Sequence, residues 1–233
     1  MAVLETDFLQ SLQSVQLAPA AAGSCWSEIV HQYAYKSRHY HSLHHLESVW
    51  KELQPVKTQI QDWPVMIGAI VYHDFFYDAR QSNNEEKSAG KAVSKMMEAG
   101  FGQQRASRCY QHIMATKGHQ ASADPDTNFF TDADLSILGQ DETTYLNYLS
   151  AIRKEYRVYP DFLYKPGRRK VLRHLLELPQ IFKRPIFMND MRRLPGKIWK
   201  GSWRYFEIVL SGISGLEKIV ESEVYKTGFS YFN

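Results

Sequence analysis

The chain has little of what disulfide-rich, secreted or membrane-spanning proteins need. It has only two cysteines, Cys25 and Cys109. Neither stands in a paired metal-binding motif, so we expect reduced thiols in a cytoplasmic protein. The N-terminal segment MAVLETDFLQ has no basic start before an apolar core, which argues against a signal peptide. The most apolar run, from Pro64 to Tyr77, is too short to span a membrane. We therefore expect no membrane partner.

A large excess of charge of one sign is also lacking. The formal net charge is +3, which is too small to indicate a nucleic-acid partner by itself. With 44% hydrophobic and 23% charged residues, the composition is ordinary for a soluble globular protein. No Gly/Ser/Pro-rich linker and no internal repeat divides the 233 residues, so we expect one domain followed by a tail.

The apolar pattern predicts an all-α fold, because no alternating strand pattern is long enough for a sheet. Apolar residues recur at helical spacing instead. The predicted helices are 7–17, one capped by Ser24, one from near Tyr40 past Trp50, one with Pro64 in its first turn, then 84–99, 103–117, 141–157 and 168–182. We expect a break at Pro166-Gly167. The helix after Pro64 is apolar on nearly every face and should be buried all round.

Histidines are concentrated in one short segment. Five of the nine lie between His31 and His45, in HQYAYKSRHYHSLHH. His41 and His45 are four residues apart, so a helix would place both on one face. Two imidazoles arranged in this way can share a metal ion or a water bound to it. A solvated or hydrogen-bonded surface pair is the alternative, so this pattern alone is weak evidence for a metal.

Carboxylates interrupt two apolar segments. In PVMIGAIVYHDFFY, the pair His73-Asp74 is costly to bury unless both groups are satisfied. A divalent cation satisfies both at once, whereas a structural His–Asp hydrogen bond is the alternative. NFFTDADLSILG adds Asp132 and Asp134 downstream. One of these can complete an octahedral site with two imidazoles, Asp74 and water. Mixed nitrogen and oxygen ligands favour Mn, Fe, Co, Ni or Zn over calcium, with Mg also allowed.

The order His…His-Asp…Asp resembles the HD superfamily of metal-dependent phosphohydrolases. The segments YHSLHH and ADLS also resemble cyclic-nucleotide phosphodiesterases. The chain is more similar to a bacterial family of predicted HD phosphohydrolases of unassigned substrate. The hallmarks of that family stand here, within residues 38–168, as RHYHSLHH, YHDFFYD, NEEKSA, TKGH, DADLSILG, IRKEY and YKPGR. This set is specific for the family but not for a substrate.

The resemblance implies a function as well as a fold. The implied fold is an HD-domain helical bundle with its metal site between central helices. The implied metal ligands are His45, His73, Asp74 and Asp134. Asp134 is preferred to Asp132 because it matches the aspartate of A-D-L-S. His41 takes the place of the general acid, and Asp74 is a second catalytic candidate that accepts a proton from water. A small phosphate ester, such as a nucleotide, is the implied substrate class.

Four more residues are candidates for substrate binding or for support of the ligands. Glu85 can orient a water or a ligand histidine, or can be a helix N-terminal carboxylate that the helix dipole favours. His119 can ligate a second metal or touch substrate, and a loop histidine without such a role is the alternative. Arg153 and Arg168 are candidate phosphate clamps, because guanidinium binds phosphate bidentately. Surface salt bridges are the alternative for each of them.

The family pattern stops after Phe187. An acidic helix resembling YERYEEAARKNLERE is expected there, but the chain reads MNDMRRLPGKIWKGSW. If the expected peptide is back-translated into DNA and that DNA is read one base out of register, the encoded peptide is close to this sequence. We therefore interpret 1–187 as the HD-type domain and 188–233 as an atypical, frameshifted tail. A divergent basic tail that binds an anionic surface is the alternative.

Two other functions stay open beside phosphoester hydrolysis. The first is di-iron oxygenation, which some HD proteins perform and which needs six protein ligands. His112 or His119 would then have to join the ligand set. The second is a catalytically silent nucleotide-binding or regulatory module. Metal analysis separates the first from a hydrolase, and a turnover screen separates the second. The sequence leaves the oligomeric state undetermined.

Overall fold

A computed structural model describes residues 2–184, and this part of the chain is all-helical, with no strand. The predicted tail, 188–233, lies outside the described residues. The nine α-helices are α1 Ala2–Gln13, α2 Pro19–Tyr33, α3 Leu43–Leu53, α4 Trp63–Tyr72, α5 Asn84–Glu98, α6 Gln103–Ala115, α7 Pro125–Asp134, α8 Glu142–Glu155 and α9 Asp161–Glu177. Short 3-10 helices, Gln54–Gln59 and Leu135–Gly139, follow α3 and α7. No helix between residues 2 and 184 has the length and apolar character needed to cross a membrane.

Helix α4 lies at the centre of the fold. The Asp62 side chain caps it by accepting a hydrogen bond of 3.2 Å from the Val65 N–H. Pro64 stands in the first turn, where its missing N–H leaves no helical bond unmade. Every residue from 65 to 72 is buried, which confirms the prediction for this segment. Helices α1, α3, α5, α6 and α7 surround α4, so the residues that follow it, beginning with His73, enter the interior.

Helices α3 and α7 pack against each other and against α4. His45 lies on the buried face of α3, together with Leu46, Val49 and Leu53. Helix α7 has seven buried residues among its ten, and it ends at Asp134. The first turn of α3 and the last turn of α7 therefore bring His45 and Asp134 to the end of α4.

The start of α2 and the course of α9 differ from the sequence prediction. Ser24 lies inside α2, which begins at Pro19 instead, because proline at the first position needs no N–H partner. Pro166-Gly167 does not interrupt the helix, because α9 continues through both residues. Proline costs the helix one hydrogen bond, to the carbonyl of Phe162 four residues earlier. Phe162 is exposed, so water can solvate that carbonyl and the helix continues.

Asp132 ties the end of the described chain to the core. Its side chain is fully buried and accepts hydrogen bonds from the backbone N–H groups of Lys183 and Arg184, at 2.8 to 3.0 Å. The Lys183 ammonium lies 3.3 Å from the same carboxylate and is also buried. All of these partners belong to the C-terminal segment. Asp132 therefore has structural partners at the end of the described chain.

We expect Asp132→Ala to destabilise the fold by about 3–5 kcal/mol, because it leaves a buried ammonium and two backbone N–H groups without their partner. Denaturant unfolding measures this change. Metal content should be unaffected, since Asp132 contacts none of the proposed ligands. Loss of the metal from a folded Asp132→Ala protein would show that Asp132 is itself a ligand.

Candidate metal centre

The four residues with implied ligand roles converge at the ends of α3, α4 and α7. His45 Nε2 lies 3.1 Å from His73 Nε2 and 3.1 Å from Asp134 Oδ1. Asp74 Oδ2 lies 3.0 Å from His73 Nε2 and 3.7 Å from His45 Nε2. The two imidazoles are 3% exposed or less, whereas the Asp74 and Asp134 side chains are 18% and 14% exposed. The histidines thus form the buried floor of the cluster and the carboxylates form its accessible side.

The orientation of His73 would make its Nε2 the ligand atom for a metal. His73 Nδ1–H donates a hydrogen bond of 2.9 Å to the carbonyl of Ile70, one turn earlier. A hydrogen bond at one ring nitrogen fixes the tautomer and leaves the lone pair of the other nitrogen for a metal. The ring also packs edge-on against Phe130, with the ring centroids 5.6 Å apart. His73 Nε2 is therefore held toward the cluster before any ion binds.

Charges within the cluster shift the pKa of several members. Burial lowers the pKa of His73, but the charges of Asp74 and Asp134 outweigh burial and raise it to about 9. Burial also raises the pKa of Asp74, and the nearby His73 and His41 more than reverse this, so that it ends well below its usual range. The pKa of Asp134 is likewise depressed, against burial, by hydrogen bonds from His119 and His45. Both carboxylates are thus ionised at neutral pH.

This arrangement suits a metal ion. His45, His73 and Asp74 form a group that can hold one, because one ligand atom of each lies within 4.8 Å of the others. Asp134 Oδ1 approaches the same two imidazole nitrogens, at 3.1 and 3.7 Å. A single His–Asp hydrogen bond accounts for His73 and Asp74 alone. It does not account for a second buried imidazole and a second carboxylate at the same point.

His41 reaches the cluster by a route that the sequence did not predict. It precedes Ser42, the N-cap of α3, so it does not share a helical face with His45 as the spacing suggested. The two rings still meet edge to face, with centroids 5.8 Å apart. His41 Nε2 lies 4.0 Å from Asp74 Oδ2, and the Tyr77 ring stacks on the imidazole at 4.0 Å. The loop before α3, and not the helix, therefore positions His41.

Glu155 holds that loop in place. Its Oε1 accepts hydrogen bonds from the backbone N–H groups of His39, Tyr40 and His41, at 2.7 to 3.0 Å. Its Oε2 lies 2.7 Å from His41 Nδ1. Burial raises the pKa of Glu155, but the hydrogen bond and charge of His41 outweigh it and lower the pKa to about 2. This ionised carboxylate fixes both the position of His41 and the direction in which its Nε2 points.

Sequence reasoning did not assign a site role to Glu155, although IRKEY was noted. One signal was available, because Glu155 follows Ile152 by three residues and Tyr145 by ten, which places all three on one helical face. That face of α8 is buried, and a carboxylate on a buried face needs a partner. The partner itself is 114 residues distant in sequence, so it could not be inferred from local spacing.

Arg38 supports the site from the opposite side and was also missed. Arg38 as a whole is 8% exposed, and its guanidinium donates to the carbonyls of His41, Asp74 and Phe75, at 2.7 to 3.0 Å. These bonds connect the loop before α3 with the end of α4. Arg38 therefore fixes the backbone of His41 relative to that of Asp74.

The structure brings His119 to the cluster but not His112. His119 Nε2 lies 3.0 Å from Asp134 Oδ2. Its φ of +51° is in the left-handed region, which is uncommon for a residue other than glycine. His112 is buried against Thr127, with 2.7 Å between Nδ1 and Oγ1, and burial lowers its pKa to about 4. Of the two extra ligands considered for a di-iron centre, only His119 lies beside a member of the cluster.

The remaining candidates lie apart from the four ligands. Glu85 stands in the first turn of α5, and within residues 2–184 no hydrogen bond or ion pair joins it to them. This position matches the helix-terminal alternative. Arg153 pairs with Asp161, so the salt-bridge alternative describes it. Arg168 contacts Tyr148, with 2.6 Å between Nη2 and the phenol oxygen. Neither arginine contacts the cluster directly.

Comparisons of the chain with protein-family models, with curated proteins and with solved structures find no match. The resemblance to HD phosphohydrolases therefore stays an expectation from the sequence motifs. The assignment of the site depends on the residues and on their geometry.

We expect one divalent transition metal per chain, and His73→Ala and Asp74→Ala should each abolish its binding, because each removes a ligand. Elemental analysis after dialysis measures the stoichiometry. His44→Ala is the matched control, since His44 neighbours His45 on α3 but its side chain is 87% exposed. Full metal content in both ligand variants would refute the site, and two metals per chain would indicate a dinuclear centre.

Metal binding should also release a proton at neutral pH. Before an ion binds, the pKa of His73 is raised to about 9, so its imidazole is protonated at pH 7. A ligand histidine must be neutral, and the proton therefore leaves as the ion enters. Affinity should rise with pH up to about pH 9 and level off above it. Calorimetric titration in two buffers of different ionisation enthalpy counts the protons, and equal heats in both buffers at pH 7 would contradict the expectation.

Proposed function

We propose that this protein hydrolyses a phosphoester with the help of one divalent transition metal (Mn, Fe, Co, Ni or Zn, with Mg also allowed). The observation that carries the proposal is that two buried imidazoles, of His45 and His73, meet two ionised carboxylates, of Asp74 and Asp134. The separate pair of His41 and Glu155 lies beside them. The first set suits a metal ion, and the second suits proton transfer. The order of the motifs along the chain, which resembles HD phosphohydrolases, supports the same reaction and a fold of the HD type.

The ligands proposed for the ion are His45, His73, Asp74 and Asp134. An ion in such a site supplies a Lewis acid for a phosphoryl oxygen and lowers the pKa of a water molecule that it binds. Asp74 is part-exposed between His73 and His41. Its carboxylate is therefore placed to accept a proton from the attacking water.

His41 is the proposed general acid. Its Nδ1 is bonded to the Glu155 carboxylate at 2.7 Å, so Nε2 is the nitrogen turned toward the cluster. Burial lowers the pKa of His41, but the charges of Asp74 and Glu155 more than offset this and raise it. His41 therefore holds a proton that it can give to the leaving oxygen. Glu155 acts as a positioning residue, because it orients His41 and stabilises the protonated ring.

Di-iron oxygenation is a second candidate, favoured by the contact between His119 and Asp134. It requires six protein ligands, and the cluster with His119 has five. His112 does not supply the sixth, because it lies against Thr127 and no contact within residues 2–184 joins it to the cluster. A metal count of one per chain favours the hydrolase. A catalytically silent binding module is the third possibility, and a turnover screen on phosphoesters separates it from both.

We expect His41→Ala to keep the metal but to slow hydrolysis of esters with poor leaving groups by about 10²–10⁴-fold, the usual loss for a general acid. Esters of 4-nitrophenol, whose leaving group needs no proton, should be affected much less. Steady-state kinetics on the two ester types and a metal assay measure both effects. His39→Ala is the control, since His39 is exposed and gives only its backbone N–H to Glu155. Loss of the metal from His41→Ala would instead make His41 a ligand.

A further inference from the structure

Arg168 is a half-buried cation without an anionic partner in residues 2–184. Its only hydrogen bond there is with the neutral phenol of Tyr148, at 2.6 Å. The Arg168 Nε is buried and has no partner at all. Removing a guanidinium from water is costly unless an opposite charge or a full set of acceptors replaces the water. One neutral oxygen does not meet that need.

Arg153, the other candidate clamp, is satisfied by contrast. It donates to the Asp161 carboxylate at 2.8 and 3.2 Å, and to the carbonyls of Tyr156 and Tyr159 at 3.1 and 3.2 Å. Its ring contact is with Tyr164, 4.7 Å from the centroid. These contacts join the end of α8 to the start of α9, and they give the Arg153 charge an anionic partner. The two arginines lie fifteen positions apart in the sequence and differ in whether their charge is compensated.

The surroundings of Arg168 are continuous with the metal cluster. Its guanidinium carbon lies 5.3 Å from the Tyr148 ring centroid. Tyr148 packs edge-on against Tyr40 at 4.6 Å, and Tyr40 in turn lies 4.8 Å from the His45 ring and 5.0 Å from the His41 ring. Two packed tyrosine rings thus connect the Arg168 guanidinium with His45, a proposed metal ligand, and with His41, the proposed general acid. Within residues 2–184, no group accepts a hydrogen bond from Arg168 Nη1.

We infer that Arg168, with the Tyr148 hydroxyl, binds a second anionic group of the substrate, and that the substrate is a phosphate ester bearing a further phosphate. Guanidinium matches phosphate oxygens in geometry and charge. The Tyr148 ring packs against the half-buried guanidinium and reduces its contact with water, which strengthens a hydrogen bond between charged groups. The inference rests on the proposed function for the role of the ester, but the anion site itself can be tested without turnover.

The first test compares two substrates with the same leaving group. One is the 4-nitrophenyl ester of thymidine 5′-phosphate, and the other is the same ester with an added 3′-phosphate. The wild-type enzyme should prefer the second in kcat/KM, and Arg168→Met should reduce that preference by about 10- to 100-fold, as for a lost charged hydrogen bond. Arg153→Met, the matched control, should leave the preference unchanged. An unchanged preference in Arg168→Met, or an equal loss in both variants, would overturn the inference.

The second test needs no hydrolysis. Inorganic phosphate is titrated calorimetrically into metal-free wild-type protein, Arg168→Met and Arg153→Met. We expect binding that weakens at least about tenfold in Arg168→Met only. If wild type turns over neither ester, the proposed function fails, and this titration still decides the anion site. Equal phosphate affinity in all three proteins would overturn it. Should Arg168→Met not fold, Tyr148→Phe replaces it and should weaken phosphate binding by a few-fold, whereas no change would count against the site.

Discussion

The site depends on charge that the fold places inside the protein. Helix α4 is buried on every side, so the residues at its end start inside the protein: the His73 side chain is 1% exposed and that of Asp74 18%. Burial of ionised groups is costly unless each finds a partner. Helices α3 and α7 bring His45 and Asp134 to the same point, where they lie beside His73 and Asp74. In the proposed site, a divalent ion would satisfy all four groups together, because it would neutralise the carboxylates and accept both imidazole lone pairs.

A second constraint separates His41 from the four ligands. His41 stands in the loop before α3, and the loop is held by charged groups on two sides. Glu155 binds three consecutive N–H groups of the loop, and Arg38 binds carbonyls at both the loop and the end of α4. Such contacts leave the loop little freedom. His41 is therefore placed beside the cluster with one ring nitrogen occupied and the other free, as proton transfer requires.

The sequence was informative where local pattern decides structure. The apolar run after Pro64 indicated a buried helix, and a His-Asp pair at its end indicated buried charge. Both follow from burial energetics alone, without knowledge of other segments. The resemblance favoured Asp134 over Asp132, which stays a prediction, and in the structure the Asp132 carboxylate accepts hydrogen bonds from the N–H groups of Lys183 and Arg184.

The sequence was uninformative where distant segments meet. The four-residue spacing of His41 and His45 suggested one helix, but contacts with Glu155 and Arg38 hold the segment before Ser42 out of helical geometry. The role of Glu155 depends on a loop 114 residues away. Arg153 has an anionic partner in the described residues and Arg168 has none. This difference depends on which carboxylates lie near each arginine in the fold, and sequence spacing does not reveal that. Pro166 was expected to break the helix, yet α9 continues through it.

X-ray absorption spectroscopy of the zinc-loaded protein tests the central claim most directly. The account predicts one class of zinc, with two imidazole nitrogens and carboxylate oxygens at about 2.0–2.2 Å. The two imidazoles should be visible through the multiple scattering of their rings, and substitution of His45 by alanine should remove one of them. A zinc environment made of oxygen alone, or one that keeps both imidazoles in His45→Ala, would contradict the account.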